Sequence, residues 1–468
     1  MKKDRTASYR KEHTFLSYLP QGALIVAALF ALWQRQRAIR SVKETLPPDQ
    51  APLPTPAPHV SIVLPVRNEA ANIDACLASL TAQDYPNFSI TVVDDGSTDT
   101  TPEQLAAWYK RDPRVQTLRV DHLPANWAGK THALHTGVMQ SHGEWLLFTD
   151  ADTQHEPVTL RLMMGHALRQ QDDLLSMSMN LMTLSGPATP LLLPVTEILL
   201  AQRVTPSEVK DPASPRAFAF GQYILLRRDA YLATGGYSAP DMSTSAVEDL
   251  ALAEQIKHRG YQVEIVDGRG LVNNCQWTTW NTARLGWGKS CYSEIVRTNI
   301  PLAAFPAALG LMAYGLGPPI ILLYAIATRK TSRVSTILAS LTLLTQIETK
   351  RHVDKKYGLS RLWALTAPIA WTSCGIMALD VTRHILTGKR MAWKSRQIPK
   401  QERPRPQRII EQVRYPDIAL ATVIAVISDL QALTYRYLAN WYNSGMLSSR
   451  DNPSAPVPKR ANPDADGS

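Results

Sequence analysis

The chain has 468 residues, 45% of them hydrophobic and 19% charged, with a net charge of +10. This length exceeds one ordinary domain, and this composition excludes a fully disordered chain. The positive charge is concentrated: residues 329–400 hold fourteen Lys/Arg against three acids (Glu348, Asp354 and Asp380), which leaves the rest of the chain close to neutral.

Residues 1–45 read as a basic segment with a transmembrane anchor at about 15–33. Phe15 to Trp33 is uncharged and mainly apolar, long enough to cross a bilayer at about 1.5 Å per residue. It has no A-x-A cleavage site and is followed by Gln34-Arg35-Gln36-Arg37, so it reads as an uncleaved anchor. Pro20 is expected to kink the helix or mark its first turn. Residues 46–59, "LPPDQAPLPTPAPH", form a semi-rigid extended linker.

Residues 60–300 read as an α/β domain. Val60–Pro65 is an apolar strand. Ala70–Gln83 is a helix with Ile73, Cys76, Leu77 and Leu80 on one face. Ser89–Val93 is a second strand, ending in Asp94-Asp95-Gly96-Ser97. Thr101–Tyr109 is a helix capped by Asp99 or Thr100. Arg114–Val120 is a strand, Lys130–Gln140 a helix and Glu144–Thr149 a strand. This alternation predicts a mostly parallel, doubly wound sheet, with ligands beyond the carboxyl ends of the strands. Residues 186–204 suit either a core helix or one dipping into a bilayer.

Residues 301–385 read as membrane segments. Pro301–Thr328 is apolar and interrupted by Pro306, Pro318 and Pro319, which suggests a broken or hairpin segment. Val334–Ile347 is a shorter run, and Leu362–Leu379 a spanning candidate. Residues 386–447 form a basic cytoplasmic or interfacial region, in which Ile418–Ile427 is too short to span. Residues 448–468 are a polar tail expected to be disordered. Every flanking loop is basic, so the positive-inside rule does not choose an orientation. Basic residues alternating with apolar runs point to a membrane surface and away from nucleic acid. The four cysteines, Cys76, Cys275, Cys291 and Cys374, have neither C-x-x-C nor zinc-ligand spacing, as expected for buried thiols in a reducing compartment.

Three acidic clusters stand out: Asp94-Asp95, Asp150-x-Asp152 and Glu248-Asp249. In extended geometry residues i and i+2 share a side, so Asp150 and Asp152 would repel unless a positive group lay between them. A divalent cation, Mg²⁺ or Mn²⁺, is the economical answer, since it binds through a few carboxylates and keeps sites for substrate phosphates. The chain has neither a G-x-x-x-x-G-K-[ST] loop nor a G-x-G-x-x-G after the first strand, which argues against P-loop and standard dinucleotide chemistry. Lys130 and Arg67 are candidate phosphate partners, with solvated surface charge as the alternative for each.

The ordered blocks "VSIVLPVRNEAANIDACLASLTAQDYPNFSITVVDDGSTDTT", "GKTHALHTG", "GEWLLFTDADTQHEP", "GGY" and "VEDLALAEQIKHRGYQV" resemble the inverting glycosyltransferases of family 2, with the GT-A fold, over about residues 59–290. The resemblance implies a nucleotide-sugar site at Pro65, Arg67, Asn68, Glu69, Asp94, Asp95, Lys130 and Asp150, with a UDP-sugar as the expected donor. It implies metal ligands at Asp150 and Asp152 and a catalytic base at Asp249. It implies a donor-sugar and acceptor site at Phe220, Gly221, Gln222, Gly235, Gly236, Glu248, Arg284 and Trp287. His135 stands where the family often has Asn, and Arg284 and Trp287 are not adjacent as in the membrane synthases. Together with His155 in "DADTQHEP" and "LTGKRMAWKSRQI", this favours the lipid, hopanoid and carotenoid branch. The expected protein is a multi-pass inner-membrane enzyme with a cytoplasmic catalytic domain. It would transfer one sugar to a lipid-like acceptor. A processive polysaccharide synthase and a non-catalytic sugar-nucleotide-binding membrane protein are the alternatives. Trp277, Trp280 and Trp287 suit either an interface belt or the acceptor.

Overall fold

The computed structural model describes residues 3–178, 186–240, 242–245, 247–274, 279–298 and 301–389, with 392–393 and 396–397. Cys275, Trp277, the run 418–427 and the tail lie outside the described residues. In chain order the elements are α1 (Lys3–Glu44), β1 (Val60–Val66), α2 (Ile73–Thr81), β2 (Phe88–Asp94), α3 (Thr101–Arg111), β3 (Val115–Arg119), α4 (Gly129–Met139), β4 (Trp145–Phe148), β5 (Thr153–His155), α5 (Thr159–Gln170) and β6 (Leu174–Met177). There follow α6 (Ala188–Arg203), α7 (Pro206–Lys210), β7 (Ile224–Arg227), α8 (Arg228–Thr234), α9 (Glu248–His258), β8 (Val263–Val266), β9 (Val272–Asn274), α10 (Trp280–Thr298), α11 (Pro301–Thr328), α12 (Arg333–Lys356) and α13 (Ala367–Leu386).

Seven strands form one sheet in the order β3-β2-β1-β4-β7-β6-β8. β1 to β4 run parallel, and so do β6 and β8, whereas β7 is antiparallel to both β4 and β6. The sheet is therefore mixed, with one reversed strand. That reversal serves the site. Ile224 pairs with Phe148, so the chain entering β7, Phe220–Gln222, lies beyond the carboxyl end of β4 beside the acids. β5 and β9 form a separate antiparallel pair, with Thr153 opposite Asn274 and His155 opposite Val272.

Strand side chains alternate between faces, and the sheet is covered on both. Val60, Ile62, Leu64, Leu147 and Leu225 join one core with α2, α3 and α5. Val63, Leu146, Phe148, Ile224 and Leu226 join the other with α4, α8 and α9. The residues expected on the buried face of α2, namely Ile73, Cys76, Leu77 and Leu80, are its buried residues.

A third core gathers α1, α6, α10, α11, α12 and α13 around Leu192, Val195, Trp287, Tyr314, Trp371 and Cys374. Of the two alternatives for residues 186–204, α6 is thus the core helix. Charged contacts fasten these helices. Arg37 grips both carboxylate oxygens of Glu208 at 2.8 and 2.9 Å. Lys350, fully buried, donates to Asp354 (2.8 Å) and to the Pro190 carbonyl (2.9 Å).

The expected break in Pro301–Thr328 is absent, because α11 runs through Pro306, Pro318 and Pro319 as one helix. Pro318 has no N–H for the Tyr314 carbonyl four residues earlier. Gln346 of α12 fills that place, donating its amide to the Tyr314 carbonyl at 2.8 Å. Neighbouring helices re-satisfy proline-freed carbonyls in this way. Among the described residues, Ala304–Thr328 and Arg361–Leu386 are long and apolar enough to cross a membrane by length and composition. Exposed apolar side chains cover α11 (Leu316, Ile320, Leu323, Ile326), α12 (Val334, Ile337, Leu344) and α13 (Ile369, Ile376).

Candidate active site

Two loops beyond β1 and β2 brace each other. Asn68 is left-handed (φ 51°), a conformation Asn tolerates. Its N–H donates to Ser97 Oγ at 2.9 Å, and its Oδ1 accepts from the Thr98 N–H at 2.8 Å. Arg67 donates to the carbonyls of Asp95 (2.5 Å) and Gly96 (3.3 Å), so its guanidinium is engaged in the loop itself. Glu69 is buried; its N–H donates to Thr101 Oγ1, and its carboxylate accepts from Asn72. Pro65 sits opposite Val93 in the parallel ladder. Asp94 is buried and accepts from the Ser97 N–H (2.8 Å) and Arg119 Nη1 (2.7 Å). Asp95, also buried, donates its N–H to the Val66 carbonyl.

β4 ends at Phe148, and Asp150–Thr153 is a turn rather than extended chain. The strand argument for placing Asp150 and Asp152 on one side therefore does not apply. The Asp150 carbonyl closes the turn, accepting from the Thr153 N–H (3.3 Å) and Thr153 Oγ1 (2.6 Å). The positive partner of Asp150 is Lys130, in the first turn of α4. Its Nζ lies 2.6 Å from Asp150 Oδ1 and 2.6 Å from Glu248 Oε1. Burial disfavours the ammonium, but the two carboxylates outweigh it and hold Lys130 well above its ordinary range.

Glu248 and Asp249 open α9. Burial alone would raise Glu248, yet the ammonium groups of Lys130 and Lys289 prevail and hold it at about 2. Asp249 goes the other way. Burial, reinforced by the Glu248 carboxylate, pushes it up to about 6 against the pull of Lys130. Its oxygens are fixed by two backbone donors: the Gly221 N–H to Oδ2 (3.0 Å) and the Leu250 N–H to Oδ1 (2.8 Å). A Cβ at position 221 would stand 3.1 Å from Asp249 Oδ2 and 3.5 Å from Lys130 Nζ, so glycine allows this approach.

One narrow pocket is lined by Lys130, Phe148, Thr149, Gly221, Glu248 and Asp249, with Tyr237 among its walls. Gly236 (φ 50°) backs onto the Tyr231 ring, where a Cβ would come within 2.1 Å, and Gly235 caps α8. Phe220 stacks edge-on against Phe218, and Gln222 is buried, its Oε1 accepting from Asn274. Arg284 and Trp287 sit elsewhere. Arg284 pairs with Asp380 of α13 at 2.5 Å, and Trp287 is buried in the helical core. Trp280 is exposed. His135 leans on Trp127, with its Nδ1 3.4 Å from the Tyr231 hydroxyl. Arg119 and Lys289 escaped sequence reasoning. The signal for Arg119 is its place opposite Asp94 in the β2–β3 register.

The carboxylates of Asp150 and Asp152 offer oxygen donors of the kind that suits Mg²⁺ or Mn²⁺, and Asp150 Oδ1 is paired with the Lys130 ammonium. A second cluster, His166, Asp172 and Glu264, brings ligand-type atoms within 4.8 Å of one another. There the Asp49 N–H donates to His166 Nδ1 (2.8 Å), which leaves the ring proton on Nε2 and no lone pair facing the acids. Lys210 already pairs with Glu264 at 2.8 Å, so this cluster reads as structural.

Residues 61–183 match the family model "Glycosyl transferase family 2". This match places the likeness to family 2 glycosyltransferases on the part of the mixed α/β sheet that runs from β1 to β6. It is similar to the 4,4'-diaponeurosporenoate glycosyltransferase of Staphylococcus aureus (strain bovine RF122), 25% identical over 248 residues, covering 49% of this chain and 60% of that one. It is also similar to the glycosyltransferase AglE of Haloferax volcanii, 37% identical over 97 residues, covering 20% of this chain and 31% of that one. The chain thus spans between about a third and three fifths of the length of these curated relatives. Among solved structures it is similar to the mannosyltransferase PcManGT from Pyrobaculum calidifontis in complex with GDP-Man and Mn²⁺, at TM-score 0.49 and 20% identity, covering 75% of this chain and 98% of that one.

Proposed function

We propose that this protein is a membrane-bound inverting glycosyltransferase that moves one sugar from a nucleotide-diphospho-sugar, with a UDP-sugar as the expected donor, to a lipophilic acceptor. The observation that carries the reading is that Lys130, Glu248 and Asp249 line one pocket, with Asp150 paired to Lys130, Asp249 raised to about 6 and its oxygens held by two backbone N–H groups.

Asp249 is the base. Its carboxylate takes the proton from the acceptor hydroxyl as that oxygen attacks the anomeric carbon. Such help is typically worth about 10²–10⁴-fold. A base poised near 6 is ionised at neutral pH yet basic enough to accept a proton. Glu248 stays ionised beside it and keeps Lys130 charged. Asp150 and Asp152 would hold the divalent cation, which supplies positive charge against the leaving diphosphate. Lys130 adds a second positive charge at the same place. The buried acids Asp94 and Asp95 would meet the base and ribose of the donor, with Arg67 and Glu69 fixing the loop that presents them.

The apolar faces of α11, α12 and α13 support membrane placement, and the uncharged run at about residues 15–33 would add an anchor. In this reading the catalytic domain faces the cytoplasm, and α10 borders the route by which a lipid acceptor reaches the cleft. The similarity to a carotenoid-type glycosyltransferase agrees with a lipophilic acceptor.

The test is sugar transfer to extracted membrane lipids with Mg²⁺ or Mn²⁺ present. Asp249→Asn is expected to abolish transfer, and survival of activity sinks the base assignment. Asp152→Ala is expected to lose metal-dependent transfer, and unchanged metal dependence removes the metal role from that residue.

A further inference from the structure

We infer that His155 is a positioning residue for the acidic turn, acting through the hydroxyls of Thr149 and Thr153; the inference rests on the metal-site reading of Asp150 and Asp152. His155 is buried, with 5% of its surface exposed. Its Nε2 lies 3.0 Å from Thr149 Oγ1 and 3.1 Å from Thr153 Oγ1, and those hydroxyl oxygens are 3.0 Å apart.

Proton counting fixes the roles in this triangle. A hydroxyl has one proton, and a carbonyl only accepts. Thr149 Oγ1 lies 2.7 Å from the Gln222 carbonyl, and Thr153 Oγ1 lies 2.6 Å from the Asp150 carbonyl. Both hydroxyl protons are thereby committed, and both oxygens face His155 as acceptors. The imidazole must carry its proton on Nε2 and donate it to the pair. Burial pushes the ring down to about 3, so it is neutral at any working pH and keeps this tautomer.

The donor clips together the two ends of Thr149–Thr153, the segment that contains both acids. Thr153 passes the constraint to Asp150 through its carbonyl. Thr149 passes it to Gln222, next to Gly221, whose N–H holds Asp249. One buried ring thus steadies the acidic turn and, one residue beyond the Gln222 carbonyl, the strand entry that supports the base. The ring is itself fixed: the His155 N–H donates to Ser79 Oγ (3.0 Å), and the imidazole packs against Tyr223 at 5.7 Å. No sequence pattern signals this, since His155 lies three residues past Asp152 and outside any metal-ligand spacing.

The test reads Mn²⁺ binding rather than turnover, by electron paramagnetic resonance on the full chain in detergent with UDP present. His155→Phe keeps the ring and removes the donor. Its Mn²⁺ affinity is expected to fall about 10- to 100-fold, the usual cost of losing a partner that orients metal ligands. His155→Gln, whose amide N–H can reach the same two hydroxyls, is expected to recover most of that loss. Thr153→Val serves as a second variant if His155→Phe does not fold, and it too is expected to weaken Mn²⁺ at least about tenfold. Wild-type affinity in His155→Phe alongside loss in Asp152→Ala overturns the role of His155 and leaves the metal reading standing. Equal losses in His155→Phe and His155→Gln also overturn it, because packing rather than donation would then be at work. Wild-type affinity in Asp152→Ala overturns the metal reading itself.

Discussion

The charge arrangement around Asp249 makes a prediction about sign as well as size. Asp249 stands at about 6 against an ordinary aspartate near 3.8, through burial and the neighbouring Glu248 carboxylate, opposed by Lys130. That displacement corresponds to roughly 3 kcal/mol between its two protonation states. A base must be ionised to act, so kcat/KM should fall as pH drops through about 6, while at pH 7.5 the ionised form should lead by about 30 to 1. Glu248→Gln removes the carboxylate that raises Asp249, and the acid limb should move to lower pH by about one unit. Lys130→Met removes the cation that lowers it, and the limb should move to higher pH by a similar amount. Both variants will lose overall rate, but the midpoint of the limb is read independently of its height. The assay is initial-rate sugar transfer at subsaturating donor from pH 4.5 to 9, at fixed ionic strength. Shifts in the same direction, or a limb that stays at 6 in both variants, would refute the electrostatic account of the base.

Other consequences are local. Gly221→Ala sets a Cβ 3.1 Å from Asp249 Oδ2, so kcat should drop at least about tenfold with little change in Tm, as expected when a reacting group is displaced; unaltered kcat would show that the Gly221 contact is dispensable. Arg119→Ala takes away the guanidinium on Asp94, and KM for the donor should rise several-fold at nearly constant kcat. A drop confined to kcat would remove Asp94 from donor binding. Lys350→Met leaves Asp354 buried without its ammonium, which should cost about 3–5 kcal/mol, read as a fall in the thermal midpoint in detergent. The double variant Lys350→Met/Asp354→Leu should regain most of that loss, and failure to regain it would mean that the pair does more than neutralise itself.

The parts of the fold legible in the sequence are those governed by local pattern. β1, β2 and α2 declare themselves because their buried faces repeat at the period of the element, and the observed bounds depart from expectation by few residues. The acids were legible as three clusters, each alone as ordinary as a helix cap or turn former, with the spacing of Asp150-x-Asp152 the least ordinary of them. What was hidden depends on partners distant in sequence. Nothing within Ile224–Arg227 says that it reverses direction between β4 and β6; that shows only in its antiparallel pairing with both. The ammonium answering Asp150 comes from twenty residues earlier, and the same ammonium reaches Glu248, far later in the chain. Three prolines argued for a break in α11, and the Gln346 amide that serves the Tyr314 carbonyl lies on the next helix. Trp287 reads as an interface or acceptor residue by type, yet α6, α11 and α13 close over it.

The central claim is that this cleft transfers a sugar to a lipid with Asp249 as the base. The most direct measurement is mass spectrometry of lipids extracted from a heterologous host expressing the full chain or its Asp249→Asn variant. A glycosylated lipid present with the wild-type chain and missing with Asp249→Asn, at equal protein in the membrane, is the predicted result. The same glycolipid in equal amount from both would contradict the account.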